Sequence, residues 1–306
     1  MQAVLEGFVT IGVVIAVGFL LAHLGVLDLG AQQVLARLAF FVASPALMVT
    51  VLGNADVGHV LSRNLVASAC GVVVSAGLYA LCAWRVWRKD LGDTVIGMLC
   101  SSYANAGNLG IPIAAYVLGD ASLVAPTLLM QLLVLQPAAL AVLDGLRRGS
   151  FAWSTALRRP LTNPLTLGSL LGVLLSLTGW HLPAMVGDPM RLLGAMAVPA
   201  MLIAYGVSLR LGPLPGAGPG AVELGAITLL KLGVQPLVAG LVASYVLDLH
   251  GTALLAVVVT SALPTAQNIF VHATRYERAV LLARDAIFVT TLASVPVMFA
   301  VVALLT

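Results

Sequence analysis

Two short clusters of amides, glycines and prolines are the residues best equipped to hold a polar ligand. The first is Asn105-Ala106-Gly107-Asn108-Leu109-Gly110-Ile111-Pro112, and the second is Pro264-Thr265-Ala266-Gln267-Asn268. Asn105, Asn108, Gln267 and Asn268 each carry hydrogen-bond donors and an acceptor. Pro112 and Pro264 remove a backbone donor and crowd the preceding helical turn. Gly107 and Gly110 admit unusual backbone angles and close approach. A helix split in this way offers N–H groups and a positive dipole end to an anion. The carbonyls on the other side of the split suit Na⁺ or a proton donor. Taken singly, each proline is equally consistent with an ordinary kink satisfied by neighbouring helices.

The elements that hold these clusters are apolar. The 306 residues are 60% hydrophobic and 9% charged, against about 25% charged in a soluble domain, and the mean hydropathy is +1.07. Spans of roughly 20 apolar residues are expected at 4–24, 33–53, 65–84, 93–118, 121–143, 161–178, 187–209, 222–246, 251–272 and 279–303. This predicts an all-α membrane protein of ten transmembrane helices. The two clusters fall deep inside segments 4 and 9. Lipid cannot satisfy exposed peptide groups, so a break there lines a cavity or is buried in protein.

The basic residues set an orientation. Eleven lie on one face of this topology, among them Arg85, Arg147, Arg275 and Arg284, and only Arg63 and Arg191 on the other. The basic face is expected to be cytoplasmic, with both termini outside. Trp84, Trp87, Trp153 and Trp180 fall near span ends, as interfacial anchors do. The N-terminus has no basic leader, so the first apolar run is read as a retained helix. The net charge of +3 comes without a basic run of the kind that binds nucleic acid. Cys70, Cys82 and Cys100 have no metal-type spacing and read as packing residues. No cofactor is expected.

A basic linker at 149–160 divides the chain into 1–148 and 161–306. Pro45-Ala46-Leu47-Met48 echoes Pro199-Ala200-Met201-Leu202, Pro112 echoes Pro264, and Pro137 echoes Pro296. Five segments per half is an odd number, so the halves enter the membrane in opposite directions. That inverted repeat underlies many alternating-access carriers.

Other polar residues fall within or at the ends of spans. Lys231 in segment 8 has two readings: binding a carboxylate, of the substrate or of Asp285, or snorkelling to the surface. Asp285 is expected as the only carboxylate within a span, either proton-coupling or part of a surface pair with Arg284. His272 is read as a cap ending segment 9. Gln131 and Gln136 either reach the site or join helix-to-helix hydrogen bonds, the second being favoured, and Ser44 and Pro45 are read as shaping helix packing.

The first cluster, Asn163-Pro164-Leu165, Val198-Pro199-Ala200, Gly206-Val207-Ser208-Leu209, Lys231 to Pro236, and Pro264-Thr265-Ala266 with Asn268 and Tyr276 resemble, in that order, the auxin efflux carrier family. The likeness is greatest to its bacterial malate or malonate permeases. The resemblance implies a fold like that of bile-acid sodium symporters. Segments 1, 2, 6 and 7 would form a scaffold with a homodimer contact. Segments 3–5 and 8–10 would form a mobile domain centred on crossing segments 4 and 9, moving as an elevator. The chain departs from plant members in its short linker and in lacking an acidic residue in segment 3.

These readings lead to a carrier of a small mono- or dicarboxylate in a bacterial inner membrane, with its drive left open between H⁺, Na⁺ and no coupling ion. The expected substrate-binding residues are Asn105, Gly107, Asn108, Gly110, Pro112, Pro264, Thr265, Gln267 and Asn268. Lys231 and Asp285 are the candidates for charge or coupling. The rivals are a Na⁺-coupled symporter of amphipathic or sterol-like anions and a non-transporting ligand sensor. A third rival, an intramembrane enzyme, is the least favoured, because no GxGD pair, His-Glu-x-x-His or plausible Ser/His dyad occurs in the spans.

Overall fold

The computed structural model describes residues 2–54, 63–110, 113–114, 118–147, 164–212 and 220–305. All regular structure among them is helical. The helices are α1 (Gln2–His23), α2 (Leu29–Gly53), α3 (Arg63–Trp87), α4 (Leu91–Ser102), α5 (Pro126–Arg147), α6 (Pro164–Thr178), α7 (Ala184–Leu211), α8 (Ala221–Val246), α9 (Gly251–Ser261), α10 (Asn268–Tyr276) and α11 (Val280–Leu305). Six of them, α2, α3, α5, α7, α8 and α11, are long and apolar enough to cross a membrane. They overlie the expected segments 2, 3, 5, 7, 8 and 10. The linker expected at 149–160, with Trp153, lies outside the described residues.

Local chemistry sets several helix starts. The Asp28 carboxylate accepts from the Ala31 N–H at 2.7 Å and opens α2. The Asp90 carboxylate accepts from the Asp93 N–H at 2.9 Å and opens α4. Three long helices widen by one residue per turn just before a proline: Ala39–Ala43 before Pro45, Gln131–Leu135 before Pro137, and Leu230–Val234 before Pro236. The proline ring would clash with the carbonyl one turn back, and the wider turn gives that carbonyl room. The widening also re-aims nearby polar side chains. In α5 these are Gln131 and Gln136, and in α8 they are Lys231 and Gln235.

The helices pack in two groups. In the first, α1 lies on α7, and α2 lies on α6 and α7. In the second, α3 lies on α4, α8 and α9, and α8 on α9. Between lipid-immersed helices the hydrophobic effect offers little, and close backbone approach over small residues takes its place. Gly206 of α7 packs on the backbone of Ile15 and Phe19 in α1. A methyl group at Gly172 of α6 would lie 2.8 Å from the Met48 carbonyl of α2. One at Gly71 of α3 would lie 2.7 Å from the Gln235 carbonyl of α8.

Two expectations about charge need correction. Arg284 does not lie on the basic surface: it is fully buried and pairs with Asp285 at 2.6 Å, beneath Tyr205, whose hydroxyl donates to the Arg284 carbonyl at 2.8 Å. Asp285 is not the only carboxylate inside a helix of the membrane set, because Glu223 is buried in α8. The Tyr79 hydroxyl donates to Glu223 at 2.5 Å and the Lys89 ammonium approaches it at 2.9 Å. Glu223 sits where the apolar run begins and so reads as a flank in sequence, but partners arriving from α3 and the turn after it bury it.

Candidate functional site

The two amide clusters meet. α4 stops at Ser102 and α9 stops at Ser261. Beyond α4 the chain runs extended from Tyr103, beyond α9 it turns through Ala262 and Leu263, and the two pieces then pair antiparallel at Ala104 and Thr265. The Asn105 N–H donates to the Pro264 carbonyl at 2.8 Å, and the Ala266 N–H to the Tyr103 carbonyl at 3.2 Å. Side chains reinforce the pairing: the Asn105 amide donates to Gln267 Oε1 at 2.8 Å. The Thr265 hydroxyl donates to the Cys100 carbonyl at 2.6 Å, and the Thr265 N–H to Thr290 Oγ1 at 3.1 Å. After the pairing, Ala106–Gly110 forms one widened turn and α10 begins at Asn268.

A single helix holds both loose helix ends. Lys231 of α8, fully buried, donates from Nζ to the Ser261 carbonyl at the end of α9, at 2.9 Å. One turn later, Gln235 Nε2 donates to the Ser102 carbonyl at the end of α4, at 3.1 Å. A cation suits the negative end of a helix, and both carbonyls would otherwise be orphaned in a dry interior. The Ser75 hydroxyl of α3 donates to the Leu230 carbonyl at 3.1 Å and anchors the widened turn that carries Lys231.

A cavity of about 90 Å³ lies beside the paired breaks, on the seam between the two helix groups. Ser44 and Met48 of α2, Leu165 of α6, and Val198 and Met201 of α7 form one wall. The other wall is made by Tyr103 to Gly107, Ala266 to Asn268, Gln131 and Gln136 of α5, and His272 of α10. Gln136 Oε1 accepts from the Tyr103 hydroxyl at 3.2 Å and from Asn268 Nδ2 at 3.3 Å. Several buried polar atoms on this wall have no partner within the protein: both amide atoms of Gln131, both ring nitrogens of His272, and Asn268 Oδ1. Each unmet group costs about 1–3 kcal/mol, and the residues that carry them line one cavity, which suits a polar ligand.

Of the residues singled out by sequence, Asn105, Gly107, Gln267 and Asn268 line this cavity. Pro264 contributes its carbonyl to the pairing, and Thr265 faces away from the cavity toward Cys100 and Thr290. Gly110 packs against Val124 and Leu263, where a methyl group would come within 2.8 and 2.9 Å. The side chain of Asn108 and the whole of Pro112 lie outside the described residues. Lys231 secures the end of α9, and Asp285 pairs with Arg284. Ser44 and His272, read from sequence as structural, line the cavity as well, as do Gln131 and Gln136, for which reaching the site is the less favoured of the two sequence readings. His272 does not cap a helix end, because α10 continues to Tyr276 and puts it mid-helix.

The sequence matches the family described as membrane transport protein over residues 3–141 and 151–302. It is 28% identical over 291 residues, covering 94% of each chain, to an "Uncharacterized transporter" of Methanothermobacter thermautotrophicus. It is 25% identical over 263 residues, 83% of this chain and 81% of the other, to a "Putative malonate transporter" of Rhizobium meliloti. Its multi-pass helices, its buried polar seam and this match agree: the chain belongs to the membrane transport protein family, the auxin efflux carrier family that its motifs resemble, a family of transporters rather than enzymes.

Proposed function

We propose that the protein is a secondary carrier of a small organic anion, a mono- or dicarboxylate, working by elevator-type alternating access. The observation that carries this reading is that Gln131, His272 and Asn268, each with buried polar atoms lacking a protein partner, line one cavity beside two interrupted helices. A cavity of about 90 Å³ has room for several water-sized groups, the scale of a small dicarboxylate. A relative named for malonate points to the same class. The carboxylate would lie near the start of α10, where the helix dipole favours negative charge.

In this reading the chain makes ten spans in two inverted halves, and the α4 and α9–α10 regions cross at the centre. The group of α1, α2, α6 and α7 is the scaffold and dimer contact. The group of α3, α4, α5 and α8–α11 moves, carrying the breaks past the stationary wall at Ser44, Val198 and Met201. The cavity on the seam between the groups favours this division, since a site there changes exposure when one group slides on the other. The same reading has both termini outside, in a bacterial inner membrane.

Radiolabelled malonate, succinate and lactate, each offered to purified protein in liposomes, test the reading. Saturable uptake of at least one acid, competed by unlabelled acid, is the expected result. Uptake no faster than in empty liposomes for every acid tried would overturn it.

A further inference from the structure

We propose that His272 takes up one proton as the organic anion enters, so that each anion moves together with a proton held on this imidazole. The inference rests on the carrier reading above and assigns its coupling group. Lys231 and Asp285, the residues that sequence offers for this task, are engaged elsewhere, with the Ser261 carbonyl and with Arg284. His272 is 2% exposed, lines the cavity, and has no protein partner at either ring nitrogen.

The charge balance of the cavity makes the case. Among the described residues lining it there is no Lys, Arg, Asp or Glu. Amides supply hydrogen bonds to a carboxylate but no net charge, and a buried carboxylate without a counter-charge is costly. His is the side chain whose charge ordinarily changes between pH 5 and 8. The other titratable group on the wall is Tyr103, whose hydroxyl donates to Gln136. A proton from solvent on the imidazole therefore provides the one positive charge that the wall can form.

The surroundings oppose that charge unless an anion is present. Phe40 of α2 meets the imidazole edge-on at 6.0 Å between ring centres. Beyond Phe40 lies the Arg275 guanidinium, 5.7 Å from that ring and 4.7 Å over Phe41. Arg275 is one turn along α10 from His272, so a second cation at His272 needs a compensating carboxylate. Exposed Arg37 lies one turn before Phe40 on α2. From α5, Asp144 is drawn to the Tyr276 hydroxyl at 2.8 Å, with exposed Arg147 a turn beyond it. The buried Arg284–Asp285 pair of α11 is tied to Tyr205 of α7, which stacks edge-on with Phe270 of α10. Proton and anion thus enter and leave together: the imidazole gains H⁺ and pairs with one carboxylate on one side of the membrane, and both are released on the other.

The test uses the purified full chain with malonate as the probe. Proton uptake per malonate bound is measured by calorimetry in buffers of different ionisation heat, for wild type, His272→Gln and His272→Asn. Wild type is expected to take up about one proton more per malonate than either variant. Its affinity should rise by up to about tenfold more per unit fall in pH than theirs, the limit for one linked proton. Histidine ¹⁵N shifts of wild type should show one of the five rings charging when malonate is added, a readout that needs no variant, and that signal should be missing from either variant. Variants that take up as many protons as wild type, or a ring that stays neutral with malonate bound, would overturn the inference and leave the carrier reading intact. If wild type neither binds nor moves malonate or any other acid, the carrier reading falls and takes the inference with it.

Discussion

The side-chain amide of Asn105 donates to the side-chain oxygen of Gln267 at 2.8 Å, joining positions 162 residues apart. Such bonds between membrane segments average about 0.6 kcal/mol and reach about 1.7. Asn105→Ala and Gln267→Ala should each lower unfolding stability in detergent by about that amount. The double variant should lose less than the sum of the two. Strict additivity, within about 0.3 kcal/mol, would mean that the pair is not coupled in solution.

Gln131 separates stability from binding. Both its amide atoms are buried without a partner, so an apolar replacement of similar size removes a penalty. Gln131→Leu should melt no lower than wild type yet lose acid uptake by about ten- to a hundredfold, the worth of one hydrogen bond to a charged group. A variant that melts lower but transports normally would return Gln131 to a packing role.

Asn268 and Asn108 are expected to contact substrate from the two breaks. Asn268→Ala and Asn108→Ala should abolish acid binding while the proteins remain folded and monodisperse in detergent. Normal uptake by both variants in liposomes would remove the carboxylate from this end of α10.

Lys231 holds the last turn of α9 and is not among the residues lining the cavity. Lys231→Met leaves the buried Ser261 carbonyl unmet and should destabilise by about 1–3 kcal/mol. Lys231→Gln, which keeps a donor, should recover part of that loss, with the KM for malonate within about threefold of wild type. An unchanged melting point with a KM raised by more than about tenfold would mean that the ammonium binds substrate directly.

The seam between α2 and α6 has no room for a larger residue at Gly172, where a Cβ would lie 2.8 Å from the Met48 carbonyl. Gly172→Val should cost about 1–3 kcal/mol by overpacking. Gly12→Ala, where nothing lies within 4 Å, should be neutral or slightly stabilising. Equal melting points for the two variants would contradict the packing described.

The six long helices were legible in sequence because an unbroken apolar run needs no partner to identify it. The interruption of segment 9 was legible because Pro264 and its polar neighbours contradict their apolar surroundings. What joins Asn105 to Gln267, or Lys231 to Ser261, is tertiary and leaves no local trace. His272 was misread because the apolar run ends there while α10 continues for another turn through Thr274, Arg275 and Tyr276. Arg284 was misread, and Glu223 passed over, for a related reason. A charge at the border of an apolar run is assigned to water unless Tyr79, Lys89 or Tyr205 is known to cover it. The widened turns at Gln131–Leu135 and Leu230–Val234 did have a signature, the Gln-Pro pairs at Gln136-Pro137 and Gln235-Pro236.

The pairing of Ala104 with Thr265 has a consequence for biogenesis. A fragment ending near residue 148 would bring bare peptide groups into oil with nothing to cover them, and a fragment beginning near residue 161 would do the same. Made alone, each is expected to be cleared by cellular proteases. Made together from separate messages, they are expected to rescue one another.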